Sequence, residues 1–300
     1  MKNANTALNL TEGRPVKLIL LFAIPVFLGN LFQSCYSLVD TKIVGRILGE
    51  TALAAVGSVS VLYTLLTGFF NGLSLGFSVL TARFYGSGEE RRLKENVAGA
   101  VTLGFLTAAV LITVVAVFIR PILTLLNVPP GQMDMALSYI TPLVWGMFVT
   151  LAYNLCANTL RAIGDSLTPL VFLVIAALTN VGLDYLFILV FDMGVRGAAV
   201  ATLVSQLLSV VLCLVWIRRN FPILHIVREH FVLSRDRIVL LYQSGLSMGL
   251  MSSLVNFGTL VLQSGINQLG TNIIVAHTAA RKIFEIWGLP VSVLGSSMAT

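Results

Sequence analysis

The sequence predicts an all-α fold, a polytopic membrane helix bundle with about eight transmembrane helices. Composition is the first observation behind it. Of 300 residues, 57% are hydrophobic and only 11% charged, with a mean hydropathy of +0.92, whereas soluble domains carry about a quarter charged residues. A water-soluble fold of this length would lack the polar side chains to cover its surface. The second observation is length, because apolar runs of about 20 residues, enough to cross a bilayer core, recur along the chain. The third is placement: most of the 19 Lys and Arg residues fall in the short gaps between those runs.

The predicted spans are residues 17–40, 53–82, 97–119, 136–160, 168–190, 197–217, 238–267 and 273–300. The second and seventh are long enough to tilt or to extend past the lipid. Turn residues fill the gaps at Gly86-Ser87-Gly88, Pro129-Pro130-Gly131, Gly164-Asp165 and Phe221-Pro222, where peptide groups reach the water that hydrocarbon lacks. Pro25, Pro142, Pro169 and Pro290 start or kink helices. The N-terminus and the loops on its side hold thirteen Lys and Arg; the alternate loops hold four (Lys42, Arg46, Arg120, Arg196), with Arg281 and Lys282 unassigned. By the positive-inside rule the N-terminus and the sixth loop face the cytoplasm.

This distribution argues against nucleic acid as a partner, which needs a basic face with polar and aromatic residues interleaved. Cys35, Cys156 and Cys213 lie inside apolar runs without CxxC spacing and read as small core residues. The first apolar run is long and lacks a small-residue cleavage site, so it reads as the first span and not as a signal peptide. No Walker loop, His pair, Cys/His dyad or HExxH motif is present, and the chain reads as neither ATP-driven nor an enzyme.

Ionised carboxylates in hydrocarbon are expensive and mark candidate sites. Three occur: Asp40, Asp184 and Glu285. In the first span Gly29, Gln33, Tyr36 and Asp40 recur at helical spacing and form one stripe. Asn180 and Asp184 in the fifth span are i, i+4 neighbours, as are Asn154 and Asn158 in the fourth and Thr202 and Gln206 in the sixth. A water-filled cavity bounded by these faces would satisfy all of them. Blander readings stand beside this one. Asp40 lies near a helix end and would serve as a cap, and Asp184 would bond a neighbouring helix. Asn154 and Asn158 would join helices, and Glu285 would pair with Arg281. His225 and His230 fall in a loop, and His277 at a helix start.

The loop 218–237 reads as a joint between two halves. A shift of 221 positions places Leu48-Gly49 on Leu269-Gly270 and Ala55 on Ala276, so both halves begin with a long apolar helix, a Leu-Gly turn and a second long helix. Such repeats are common in secondary transporters. The expected organisation is a six-helix lobe at 1–217, a cytoplasmic loop at 218–237, and the first two helices of an incomplete second lobe at 238–300, as in a fragment of a longer protein.

Four stretches carry a family likeness: "PVKLILLFAIPVFLGNLFQSCYSLVDTKIVGRILGETALAAVG", "NTLRAIGDSLTPL", "ALTNVGLDYLFI" and "MGVRGAAVATLVSQ". With these the chain resembles the multidrug and toxic compound extrusion (MATE) transporters over nearly all of residues 10–300. The resemblance implies twelve helices in two six-helix lobes around a cavity that opens alternately to each side. It also implies antiport, in which entering H+ or Na+ drives out organic, often cationic or amphipathic, compounds. On this resemblance the cation-coupling residues are Asp40, Asn180, Asp184 and Thr202. Gln33, Tyr36, Asn154, Asn158 and Gln206 line the cavity, and Pro25 is the hinge. The expected setting is the plasma membrane, with small organic substrates and lipid as partners, no obligatory protein partner, and no cofactor or metal beyond Na+ at the coupling site. Two competing readings are a lipid-linked saccharide flippase of the same superfamily, which calls for a cavity rich in Arg and Lys, and a transport-inactive fragment or scaffold.

Overall fold

Hydrocarbon offers peptide groups no water, so a chain of this composition satisfies its backbone within helices. The structure, a computed structural model, describes residues 14–126, 128–231 and 234–267, together with 280, 284, 287–291, 293–295 and 297–298; the side chains at 15, 34–38, 40–41, 260–261 and 263–267 lie outside the described set. Its helices are α1 (Pro15–Leu48), α2 (Glu50–Gly86), α3 (Glu90–Leu125), α4 (Met133–Trp145), α5 (Met147–Ala162), α6 (Leu167–Tyr185), α7 (Gly194–Asn220) and α8 (Arg235–Asn267). Six of them hold spans long and apolar enough to cross a membrane, and α4 with α5 makes a seventh, bent by 44°. The eighth predicted span, with His277, Arg281, Lys282 and Glu285, lies mostly or wholly outside the described residues.

The fourth span is thus broken where the sequence predicts one helix over 136–160. Pro142 removes a backbone donor inside α4, and Gly146 stands at the joint. There the Leu203 side chain of α7 fills the space a Cβ would occupy, coming within 2.0 Å of that position.

Two turns are built alike. After α2, the Glu89 N–H donates to Phe84 O and the Gly88 N–H to Tyr85 O; after α5, the Asp165 N–H donates to Leu160 O and the Gly164 N–H to Arg161 O. This is the Schellman arrangement, which places a left-handed residue just past the helix. Gly88 (φ 73°) and Gly164 (φ 92°) supply it.

The tightest crossing joins α2 to α8. Gly68, Gly72 and Gly76 repeat every four residues on α2, opposite Gly245 and Gly249 of α8. A methyl group on Gly76 would stand 2.4 Å from the Ser244 carbonyl oxygen, and one on Gly72 2.5 Å from that of Met248. Small residues at this spacing let helix backbones approach in lipid, where packing and not water drives association. The Ser244 hydroxyl also donates to Gly76 O at 2.7 Å. Beside this seam Phe70, Leu73 and Phe77 of α2 and Met147 and Leu151 of α5 form the fully buried core. Val110, Val117, Leu178, Leu254 and other large apolar residues point outward. In water such a surface would aggregate; in lipid it is the solvated face. The chain is a multi-pass membrane protein.

Candidate functional site

Polar residues within the apolar helices converge on one cavity of about 390 Å³. Four helices supply most of its wall. On α1 Asn30 and Gln33 face it; on α2, Tyr63, Thr64, Thr67, Asn71 and Ser78; on α5, Thr150, Asn154, Asn158 and Arg161; on α7, Ser205, Gln206 and Ser209. The α5 set repeats at i, i+4, i+8 and i+11, and so forms a stripe along a single helical face. Tyr153 of α5, Asn256 of α8 and Ser297 complete the polar lining.

Hydrogen bonds fix several of these groups. The Thr150 hydroxyl donates to Gln206 Oε1 at 2.8 Å, tying α5 to α7. Ser209 donates to Phe172 O at 3.0 Å, tying α7 to α6. Arg161 Nη1 donates to Asn158 Oδ1 at 3.1 Å.

A second group sits apart from the cavity wall. Asn180 and Asp184 of α6 are both fully buried, and Asn180 Nδ2 donates to Thr202 Oγ1 of α7 at 3.5 Å. The Thr202 hydroxyl in turn donates to Ala198 O at 3.0 Å. Asn180 follows Ala176 and Ala177, which line the cavity, by one helical turn, and Thr202 precedes Gln206 by one. Immediately after Asp184, residues Leu186–Val190 form a π turn, an irregularity frequent at functional sites.

Of the residues singled out in the sequence, Gln33, Asn154, Asn158 and Gln206 lie on the cavity wall. Asn180 and Thr202 lie together behind it, with Asp184 buried one turn along α6. Pro25 sits inside α1. The side chains of Tyr36 and Asp40 lie outside the described residues. Sequence reasoning missed the α2 wall, whose signal is the spacing of Thr64, Thr67, Asn71 and Ser78 in an otherwise apolar helix. It also assigned Arg161 to a loop, whereas the residue occupies the last turn of α5 and reaches the cavity. Among the described lining residues Arg161 is the only charged one, which does not supply the cluster of cations a pyrophosphate-headed lipid calls for.

No group of three or more His, Cys, Asp or Glu side chains suited to a metal occurs among the described residues. Cys156 and Cys213 are free thiols.

Residues 25–186 match the MatE family. The chain belongs to that family. A MATE relative, the probable multidrug resistance protein YoeA of Bacillus subtilis, is 30% identical over 286 residues, which are 93% of this chain and 62% of YoeA. A second, the probable multidrug resistance protein YpnP of the same organism, is 26% identical over 97% of this chain and 65% of its own length. The chain therefore spans somewhat less than two thirds of these relatives. A crystal structure of a MATE in the bent conformation superimposes with a TM-score of 0.90 at 24% identity, covering 99% of this chain and 66% of that one. That likeness shows the fold.

Proposed function

We propose that this MATE chain forms the greater part of a cation-coupled antiporter that exports small organic compounds from the cell. The observation that carries the reading is a polar cavity within a membrane bundle, with a buried carboxylate and amide on a cavity-lining helix one to two turns from its wall. Substrate occupies the cavity. The coupling ion, H+ or Na+, binds at Asp40, Asn180, Asp184 and Thr202. Because α6 and α7 carry both groups of residues, occupancy of the ion site changes the cavity through the same two helices. Pro25 leaves one backbone acceptor of α1 without its helical donor, and α1 bends there as the ion binds.

In this reading residues 1–217 form one lobe, 218–237 the cytoplasmic link and 238–300 the beginning of the other. The protein resides in the plasma membrane with its N-terminus in the cytoplasm. The names of YoeA and YpnP support multidrug compounds as the cargo class.

The test is Asp40→Asn in the full-length gene product. Efflux of a fluorescent drug from cells is expected to fall to background while the amount of protein in the membrane is unchanged. Wild-type efflux by the variant would end the coupling role. Vesicles energised with a proton or a sodium gradient alone then identify the ion.

A further inference from the structure

We infer that an anionic phospholipid of the surrounding bilayer docks in a second cavity, between α3, α5 and α7, with one acyl chain inside it and its phosphate on Arg218. The site is separate from the central cavity, and the inference does not depend on the efflux reading.

Place is the first argument. The cavity measures about 580 Å³, within the usual range of small-molecule sites. Val97 and Val101 of α3, Leu155 and Thr159 of α5, and Leu214 and Arg218 of α7 bound it. Its α5 residues lie on the face opposite Asn154, Asn158 and Arg161, and the two cavities have no described lining residue in common. Leu214 and Arg218 belong to the last two turns of α7. The cavity therefore lies among spanning helices, in the leaflet beside the 218–237 loop, which is the inner leaflet in the orientation proposed above.

The second is the apolar interior. Apart from Cys156, Thr159, Arg218 and His225, the described lining residues are aliphatic. Water there would find few hydrogen-bond partners, whereas an acyl chain gives the wall apolar contact throughout. Leu214, a lining residue on a spanning helix, is 53% exposed, so the cavity opens towards the hydrocarbon. The wall formed by the loop is held in place. Leu224 is buried and packs with Leu93, Val97 and Leu160, and His225 Nε2 donates to Arg218 O at 2.8 Å.

The third is charge at the mouth. Arg218 and His225 are both exposed there, and among the described residues Arg218 forms no ion pair. A guanidinium at headgroup level, with its aliphatic stem along an apolar cavity, matches a phosphate joined to an acyl chain. The 218–237 segment carries five Arg against Glu229 and Asp236, and Arg237 alone of the five is engaged by Glu95. That surplus of positive charge favours a net anionic headgroup over a zwitterionic one.

The experiment places the purified full-length gene product in phosphatidylcholine vesicles containing a trace of phosphatidylglycerol with a diazirine in one acyl chain. After illumination, the cross-linked peptides are mapped by mass spectrometry. Adducts are expected on the segments of α3, α5 and α7 that line the cavity. Unlabelled phosphatidylglycerol should halve them at a mole fraction at least about tenfold lower than phosphatidylethanolamine requires, the scale of one charge-assisted hydrogen bond. Arg218→Gln, at an exposed position where folding is not at stake, removes that difference. Arg219→Gln, next to it but outside the lining, keeps it. Adducts spread evenly over the outward faces of the helices, equal displacement by the two lipids, or an unchanged preference in Arg218→Gln overturns the inference. Adducts absent from the cavity would mean that another segment of the protein fills it, and would overturn the inference as well.

Discussion

Asp165 shows how much one residue in the turn between α5 and α6 does. Its Oδ1 accepts the Thr168 N–H at 3.0 Å and its Oδ2 the Thr168 hydroxyl at 2.6 Å, which caps the first turn of α6. Oδ2 also accepts from Trp216 Nε1 at 3.4 Å and so fastens the end of α7 to the same turn. Trp216 meets Phe172 edge-on, with ring centroids 6.2 Å apart. Asp165→Ala is therefore expected to destabilise the protein by about 1–2 kcal/mol through the lost cap, read as a lower thermal midpoint in detergent. Asp165→Asn, which keeps an acceptor for the Thr168 N–H, recovers part of the loss, and equal midpoints for Ala and wild type would refute the capping role. The turn itself was legible in Gly164-Asp165; its tie to Trp216, 51 residues on, was not, because nothing local encodes it. Cavity residues divide along the same line. Gln33, Asn154, Asn158 and Gln206 stand out as amides in apolar runs, whereas Arg161 next to a Gly-Asp turn reads as an ordinary loop cation.

At the scale of the elements, hydropathy placed the helices but not their ends. The third span, expected over 97–119, is helical from Glu90 to Leu125. Its extra first turns are polar and held by ion pairs, Lys94 to Glu90 at 2.6 Å and Arg91 to Glu95 at 3.0 Å, which a search for apolar runs passes over. At the break between α4 and α5 the Leu203 side chain of α7 packs into the space that Gly146 leaves, a contact nothing local encodes. The glycine repeat at 68, 72 and 76 was visible in the sequence, yet its partner became identifiable only once α8 was seen against it. That seam gives a direct prediction. Because the nearest atoms to Gly76 are the Ser244 carbonyl and the Gly245 backbone, a methyl group there forces the helices apart. Gly76→Ala is expected to lower stability by about 1–3 kcal/mol, whereas Gly57→Ala, at a position with open space around it, changes it little. Thermal unfolding of the two variants side by side distinguishes a packing seam from a general intolerance of Ala in α2.

Over the whole molecule, among the described residues α8 is tied to α2 by the glycine seam and to α3 by an ion cluster and by the hydroxyl pair Thr107–Tyr242 at 3.3 Å, and the proposed lobes meet through these contacts. The ion cluster is the charged contact among these: Arg237 of α8 and Arg91 of α3 both bind the carboxylate of Glu95, whose side chain is 11% exposed. Arg91 is 88% exposed and adds little, but Arg237 at 21% is shielded like Glu95, so parting that pair leaves poorly solvated charges and costs more than parting a surface pair. The seam is glycine-packed at Gly72 and Gly76, which suits a pivot, whereas the ion cluster joins two helix ends and suits a contact that opens. Alternating access by rocking lobes requires a contact of the second kind to separate once per cycle. The prediction follows for Glu95→Cys with Arg237→Cys, made in full-length protein whose Cys35, Cys156 and Cys213 are replaced by Ser. A bifunctional methanethiosulfonate linker between the two positions is expected to stop gradient-driven export, and reduction to restore it. Each single cysteine, treated identically, should keep its untreated activity. Undiminished export by the linked protein would mean that the α3–α8 junction stays closed throughout the cycle, and the moving contact would then have to lie elsewhere.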